Sequence, residues 1–471
     1  MGTATRRTKI IATLGPATES PAMIEKLVRA GMDIARINMS HAAADQTRAL
    51  VTHIRAAAQR AGRVVGIMMD LQGPSIRTGD LPVALNLKAG EKIALTVRGE
   101  KSVEHRSVDV NYDQLVDDIK TGDIVVIDNG NIQLKVLEKR RNQLQCEILT
   151  AGVLGSRRHI NLPGVRVNLP ALTEKDIKDV ELGIETGVDF IAMSFTREAE
   201  DVTKLRGILD YRKAHQKIIA KLEDQEGVRN VAEIIDAADG IMVARGDLGI
   251  EVPYEELPII QRRVVKQCLA RGRPVIVATH MLESMIENPS PTRAEITDVA
   301  NAVYEQADAI MLSGETSVGS YPVACIEIMD RIVRRIERSG GANYAELAKM
   351  DTVGAKMAKS AAVLAKEVSA EALIVFTQAG TMARNAAWQR PVHTPLFAFT
   401  NNRALLNQLT LHWGIQPFFL EFAEDPPMNF ENAVKLLKER GCVTGGAHVV
   451  AVTEVNIRGR LVDTILMETV D

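Results

Sequence analysis

The sequence predicts a (β/α)8 TIM barrel with an inserted small β-barrel lid domain and a C-terminal α/β open-sheet domain. Three observations predict it. Eight short apolar runs alternate with helical patterns, about a hundred residues after the third run read as β, and beyond about residue 340 the alternation restarts.

The eight runs are "KIIATLG" (9–15), "DIARINMS" (33–40), "VVGIMMDL" (64–71), "DFIAMSF" (189–195), "KIIAKLED" (217–224), "GIMVARGD" (240–247), "PVIVATHM" (274–281) and "AIMLSGE" (309–315). Near-continuous hydrophobic runs of this length are strands of a parallel sheet, buried on both faces. Between them, Ser20 can cap a helix that has Pro21 in its first turn, an apolar stripe of Met23, Ile24, Leu27 and Val28, and Gly31 as terminator. Thr173 with Asp176 resembles a capping box, with Ile177, Val180 and Ile184 on one face and Gly187 ending the helix. Further helices are expected over 197–214, 254–271, 290–305 and 321–338.

The β-rich stretch contains "EKIALTV", "DIVVIDNGNIQLKVLE" and "QLQCEILT", with Asn129-Gly130 as a hairpin signal. The expected domains are therefore 1–73 with 171–340 (barrel), 74–170 (inserted β lid) and 341–471. The last holds a helix (354–367), then "ALIVFT", "PLFAFT", "QPFFLEF", "HVVAVTEV" and "DTILMETV", the first four separated by helices.

The chain has 471 residues, 46% hydrophobic and 25% charged, which suits a folded multidomain protein. A net charge of −3 gives no reason to expect nucleic acid or an anionic membrane as partner. No apolar run reaches about 18 residues, so no membrane span is expected. The start lacks a signal-peptide apolar region, and Met1-Gly2 is followed by Arg6 where myristoylation wants Ser or Thr. Cys146, Cys268, Cys325 and Cys442 lie far apart without metal spacing, as reduced thiols do. A cytoplasmic protein is expected.

Chemistry in such a barrel collects at the C-terminal ends of the strands. Seven strands end there in polar residues: Arg36, Asn38, Ser40 and His41; Asp70; Ser194; Lys221 and Glu223; Arg245, Gly246 and Asp247; Thr279 and His280; Ser313 and Glu315. One such residue alone reads as a strand end or helix cap. Charges from so many strands on one rim must neutralise one another or bind something charged, since buried unpaired charge costs several kcal/mol. Glu223 and Asp247 are hard oxygen ligands of the kind Mg2+ takes sparingly. Arg36 and Lys221 supply a forked donor and a point charge for phosphate. Backbone N–H groups of "ARGDLG" suit a carboxylate or phosphate, and Asn38, Ser40 and Asp70 suit a monovalent cation. A phosphorylated carboxylate, a divalent metal and phosphoryl transfer fit this inventory.

The segments "RRTKIIATLGPAT", "ARINMSH", "DLQGPSIRTG", "NLPALTEKD", "IIAKLEDQEG", "IMVARGDLG", "ATHMLESM", "PTRAEITDVANAV" and "AIMLSGETSVGSYP", in order from 6 to 322, closely resemble the pyruvate kinase family. The C-terminal third resembles it only loosely. The resemblance implies transfer of the phosphoryl group of phosphoenolpyruvate to ADP, the last step of glycolysis, in a homotetramer with the three-part organisation above. It implies Mg2+ on Glu223 and Asp247, a second Mg2+ arriving with ADP, Lys221 facing the moving phosphoryl group, and Arg36 on the phosphate. It places the substrate carboxylate at Gly246, with Asp247 and Ser194 also lining the substrate, and Thr279, with Ser313 and Glu315, in a proton relay. Asn38, His41, Arg77 and Lys175 resemble positions near the nucleotide, and Asn38, Ser40, Asp70 and Leu71 a K+ site.

Ser75 departs from the family, where K+-requiring members carry Glu and K+-independent ones Lys; the retained ligand set inclines the reading toward a bound ion. Asp224 stands where Asn is common and His280 where Gln is common. The turn "FTQAGTMAR" (376–384) is a candidate cradle for a sugar-phosphate or nucleotide effector through Thr377, Gly380, Thr381 and Arg384, with a plain helix cap as the alternative. Trp388 and Trp413 read as core or interface residues. Two other functions compete: a Mg2+-dependent aldolase or lyase on pyruvate enolate, which needs neither insert nor Lys221, and a non-catalytic scaffold, which would not need the charged rim.

Overall fold

The computed structural model describes residues 6–97, 106–348, 350–457 and 460–471. The Met1-Gly2 start lies outside the described residues. Eight parallel strands close into a barrel in chain order: Lys9–Leu14, Ile34–Asn38, Gly66–Asp70, Phe190–Met193, Lys217–Leu222, Gly240–Ala244, Val275–Ala278 and Ala309–Leu312. Among the described residues no helix is long and apolar enough to cross a membrane.

Alternation along the strands decides what faces the barrel axis. Ile34, Met68, Phe190, Ala192, Ile219, Met242, Ile276, Ala278, Ala309 and Met311 pack together inside, while Ile218, Ala220 and Leu222 join the layer between strands and helices. Leu411, from beyond the barrel, plugs the inner cluster. Continuing the interior rows upward by twos gives Arg36 and Asn38 after Ile34, Asp70 after Met68, Ser194 after Ala192, Lys221 and Glu223 after Ile219, and Ser313 after Met311, while Gly246 and Asp247 lie in the first turn of the helix Arg245–Glu251 that follows its strand. The site is thus an extension of the barrel core, polar where the core meets its mouth.

The helix Pro21–Ala30 is capped by Ser20, whose Oγ accepts from the Met23 N–H (3.3 Å), and Gly31 ends it at φ 126°. The helix Glu174–Thr186 has the expected Thr173/Asp176 capping box. One detail of its apolar stripe is corrected. Ile177 is 43% exposed, and the buried position belongs to Asp176, whose Oδ1 accepts from the Gly73 N–H (3.0 Å). A periodic pattern cannot reveal a carboxylate recruited inward by an unpaired backbone donor.

The insert forms a seven-stranded sheet, and a bridge between Thr78 and Val110 joins its two ends into a barrel-like form. Strands Ile124–Ile127 and Ile132–Arg140 pair antiparallel with Ile127 opposite Ile132, and Asp128, Asn129 and Gly130 turn between them at positive φ. The very short strands Ile76–Arg77, Leu85–Leu87, Ser107–Val110, Gly152–Leu154 and His159–Asn161 carried no legible alternation. The C-terminal sheet runs in parallel through Ile415–Phe419, Leu396–Thr400, Ala372–Phe376 and His448–Ile457, then adds Arg460–Thr469 antiparallel at its edge. Trp388 donates to the Leu269 carbonyl and Trp413 is buried under Arg7 and Arg390, so both sit where this unit meets the barrel.

Candidate active site

Lys221 is the hub of the mouth. Its Nζ lies 2.8 Å from Glu223 Oε1, 3.0 Å from Asp70 Oδ1 and 2.7 Å from Ser194 Oγ. Asp70 Oδ2 takes Arg36 Nε at 2.6 Å, and Arg36 also donates to Thr13 Oγ1 (3.0 Å). Glu223 Oε2 accepts from the Phe195 N–H (2.6 Å), whose residue turns at φ 52°. Asp70, Lys221 and Glu223 are all buried.

Three carboxylates, Asp70, Glu223 and Asp247, thus act on two cations, Lys221 and Arg36. Burial opposes the Lys221 ammonium, but Asp70 and Glu223 outweigh it and its pKa is raised. Burial pushes the Glu223 carboxyl up, and Asp247 and Asp70 add to this against Lys221. Asp70, though buried, is drawn down by Arg36 and Lys221. The surplus of negative charge therefore rests on the Glu223–Asp247 side, which is the side that a cation would satisfy. Among the described residues no group of three or more His, Cys, Asp or Glu side chains is arranged to hold a metal. Two carboxylates suffice where substrate oxygens and water complete the shell.

The other candidates divide by how much of their polarity is already used. The Thr279 hydroxyl accepts from the Gly246 N–H (2.7 Å) and donates to the Ala278 carbonyl (2.6 Å), at φ 70°. Arg245 holds this corner by donating to the carbonyls of Ala278 and Thr279 and pairing with Asp298 at 2.7 Å. Glu315 is wholly buried, with its oxygens accepting from the N–H groups of Leu282 (3.0 Å) and Ser313 (2.7 Å), so it braces two loops. Ser313 Oγ is buried without a protein partner. Leu71 gives its carbonyl to Ser194 Oγ (2.7 Å), and Asn38 Oδ1 accepts from the Ser40 N–H (3.1 Å). Ser40 and His41 are exposed. Arg77 donates from Nε to Ser75 Oγ (3.1 Å). Lys175 bridges the Met39 carbonyl (2.7 Å) and Asp179 (2.6 Å). Asp224 caps the helix Gln225–Arg229 by accepting from the Gly227 N–H.

Sequence reasoning missed His159, carried by the insert. Burial and Arg77 lower its pKa and Asp247 opposes them, and its ring centroid lies 6.0 Å from that of Phe195. The basic run "SRRH" was its only signal. The turn at 377–384 lies elsewhere. Thr377 Oγ1 accepts from the Gly380 N–H (2.9 Å), and Gly380 has φ 84°. Arg384 lines a small cavity with Lys217, Asp239 and Arg273, which stand at the N-terminal ends of barrel strands, opposite the mouth. Burial and Arg273 lower the Arg384 pKa.

The family described as "Pyruvate kinase, barrel domain" matches residues 5–326, and "Pyruvate kinase, alpha/beta domain" matches 355–465, so the C-terminal part resembles the family more firmly than its motifs indicate. A chloroplastic pyruvate kinase isozyme G of Nicotiana tabacum is 40% identical over 454 residues, covering 95% of this chain and 80% of that protein. A pyruvate kinase of Staphylococcus aureus is 38% identical over 452 residues, covering 94% and 76%. The crystal structure of a pyruvate kinase from Cryptosporidium parvum superposes with a TM-score of 0.92 at 33% identity, covering 98% of this chain and 96% of that one.

Proposed function

The chain belongs to the pyruvate kinase family of phosphotransferases, and from that premise we propose that its barrel mouth passes the phosphoryl group of phosphoenolpyruvate to ADP. The observation that carries this is the convergence of Arg36, Asp70, Lys221 and Glu223, from three strands, into one buried network. In the reaction the P–O bond to the enolpyruvate oxygen breaks and one to the terminal oxygen of ADP forms. The enolate then takes a proton on its methylene carbon, giving pyruvate and ATP.

Lys221, held in place by Asp70, Glu223 and Ser194, offsets charge on the phosphoryl group as it moves. Arg36 grips the phosphate, and the loop at Gly246 and Asp247 receives the carboxylate. Mg2+ on Glu223 and Asp247, when bound, supplies positive charge to the substrate oxygens, and a second ion accompanies ADP. In this reading Thr279 and Ser313 supply the hydroxyls, or hold the water, that hand the proton to the enolate, with Glu315 bracing the Ser313 loop. Asn38, His41, Arg77 and Lys175 face the nucleotide, and a K+ site from Asn38, Ser40, Asp70 and the Leu71 carbonyl belongs to the same reading. The insert closes over the mouth and excludes water. A cytoplasmic homotetramer, with an effector bound at Thr377, Gly380, Thr381 and Arg384, completes the proposal.

A coupled assay with phosphoenolpyruvate, ADP and Mg2+, run with and without K+, tests it. ATP formation is expected, with a rise on adding K+. A purified, folded sample that makes no ATP under either condition overturns the catalytic reading, and activity indifferent to K+ overturns the monovalent site.

A further inference from the structure

The insert is tied to the barrel at both of its connections. On entry, the Gly73 N–H is held by Asp176. On return, Arg197 donates to the carbonyls of Val167 (2.8 Å) and Leu169 (2.7 Å). These contacts fix where the chain crosses over. They leave the tilt of the inserted sheet to contacts farther out.

Among the described residues, two polar side-chain pairs make such contacts. Arg166 and Glu226 are 3.3 Å apart, but the Arg166 side chain is 81% exposed, and exposed pairs contribute little. The other pair is buried: Asn161 Nδ2 donates to Glu251 Oε1 at 3.0 Å. Asn161 ends the insert strand His159–Asn161, and Glu251 ends the short helix Arg245–Glu251 that carries Asp247 one turn earlier. Both residues border a cavity of about 220 Å3 between insert and barrel, lined also by Pro74, His159, Phe195 and Asp224. The Leu162 N–H, next along the insert, also donates to the Glu251 carboxylate, so the insert holds this side chain through two neighbouring donors. The carboxylates of Asp224 and Asp247 face Glu251 from the barrel, and Gln225 Nε2 donates to its backbone carbonyl (2.5 Å).

We propose that the Asn161–Glu251 hydrogen bond is the latch that sets the angle of the insert over the barrel mouth, with Glu251 a positioning residue for phosphoryl transfer. It links the body carrying Arg77 and His159 to the helix carrying Asp247. The kinetic part of this rests on the proposed reaction; the geometric part does not.

The test uses the full chain with spin labels at Lys135→Cys on the insert and Tyr211→Cys on a barrel helix, in a Cys442→Ser background. Pulsed dipolar spectroscopy on samples without substrate or nucleotide is expected to give one narrow distance distribution for the parent, and a broad parent distribution overturns the latch. Asn161→Ala and Glu251→Ala broaden or shift it and lower kcat about tenfold. Glu251→Gln, whose amide oxygen still accepts from Asn161, recovers the narrow distribution. Asn161→Ser, too short to bridge, gives the same readout should Asn161→Ala fail to fold. Alanine variants that keep the parent distribution, or a Glu251→Gln as broad as Glu251→Ala, overturn the latch. A parent that makes no ATP overturns the reaction instead and leaves the distance result to stand or fall separately.

Discussion

Lys221 Nζ and Glu223 Oε1 lie 2.8 Å apart, two residues along one strand, because alternation sends both side chains to the barrel axis. Their neighbour Asp70 keeps the ammonium charged, so Lys221 acts as a fixed cation. A fixed charge aimed at a group whose charge shifts during reaction matters most in the transition state. Lys221→Met is therefore expected to cut kcat by about 10²–10³-fold and to move the phosphoenolpyruvate KM by only a few fold. Steady-state kinetics on samples with native circular dichroism check this. Equal loss in kcat and affinity would contradict the role.

Glu251 gives a pH signature in stability. Burial raises its carboxyl to about 7, with Asp224 and Asp247 adding to the shift against the hydrogen bonds from Asn161 and the Leu162 N–H. The folded state thus holds the proton more tightly than the unfolded chain, which releases it near 4.5. Stability from this group is full below about pH 4.5 and is lost as pH rises to about 7, by up to about 3 kcal/mol. Glu251→Gln removes the ionisation. Its denaturation free energy should match the parent near pH 4.5 and exceed it at pH 8, and an advantage that does not grow with pH would refute the assignment.

Much of this fold is legible in the amino-acid sequence. The eight strands announced themselves because a barrel buries both faces of each strand, and the interior rows of the site follow from the same period of two. Contacts made across the insert were not legible. His159, Asn161 and Glu251 meet only because two bodies dock at one angle, and no local period encodes that angle. The sequence likewise could not show that the hydroxyl of Thr279 and the carboxylate of Glu315 are already engaged by backbone groups.

The exchange of Asp176 for Ile177 in the buried row yields a stability prediction. Asp176 accepts from the Gly73 N–H and, through Oδ2, from the Thr173 N–H (2.8 Å) and hydroxyl (2.6 Å). Asp176→Ala orphans a buried donor and removes a cap, so a loss of about 2–3 kcal/mol is expected. Ile177→Ala, at an exposed site, should cost less than about 1 kcal/mol. Chemical denaturation of the two variants decides it, and the reverse order would restore the periodic reading.

Arg390 and Asp308 join the C-terminal domain to the barrel floor. The guanidinium grips both Asp308 oxygens at 3.0 and 2.8 Å, and each side chain is at most 5% exposed. Asp308 also accepts from the N–H groups of Val275 and Trp413, and it immediately precedes the strand Ala309–Leu312 that leads to Ser313. Arg390→Met leaves a buried carboxylate without its cation, which typically costs about 3–5 kcal/mol. Most of that penalty belongs to the stranded charge rather than to lost attraction. Arg390→Met combined with Asp308→Asn should therefore recover part of the loss, since the amide needs no counter-charge, although its single oxygen can accept from only one of the two backbone donors. Urea denaturation of the single and double variants measures the difference. A double variant no more stable than Arg390→Met would mean that the domains are joined here by the ion pair itself.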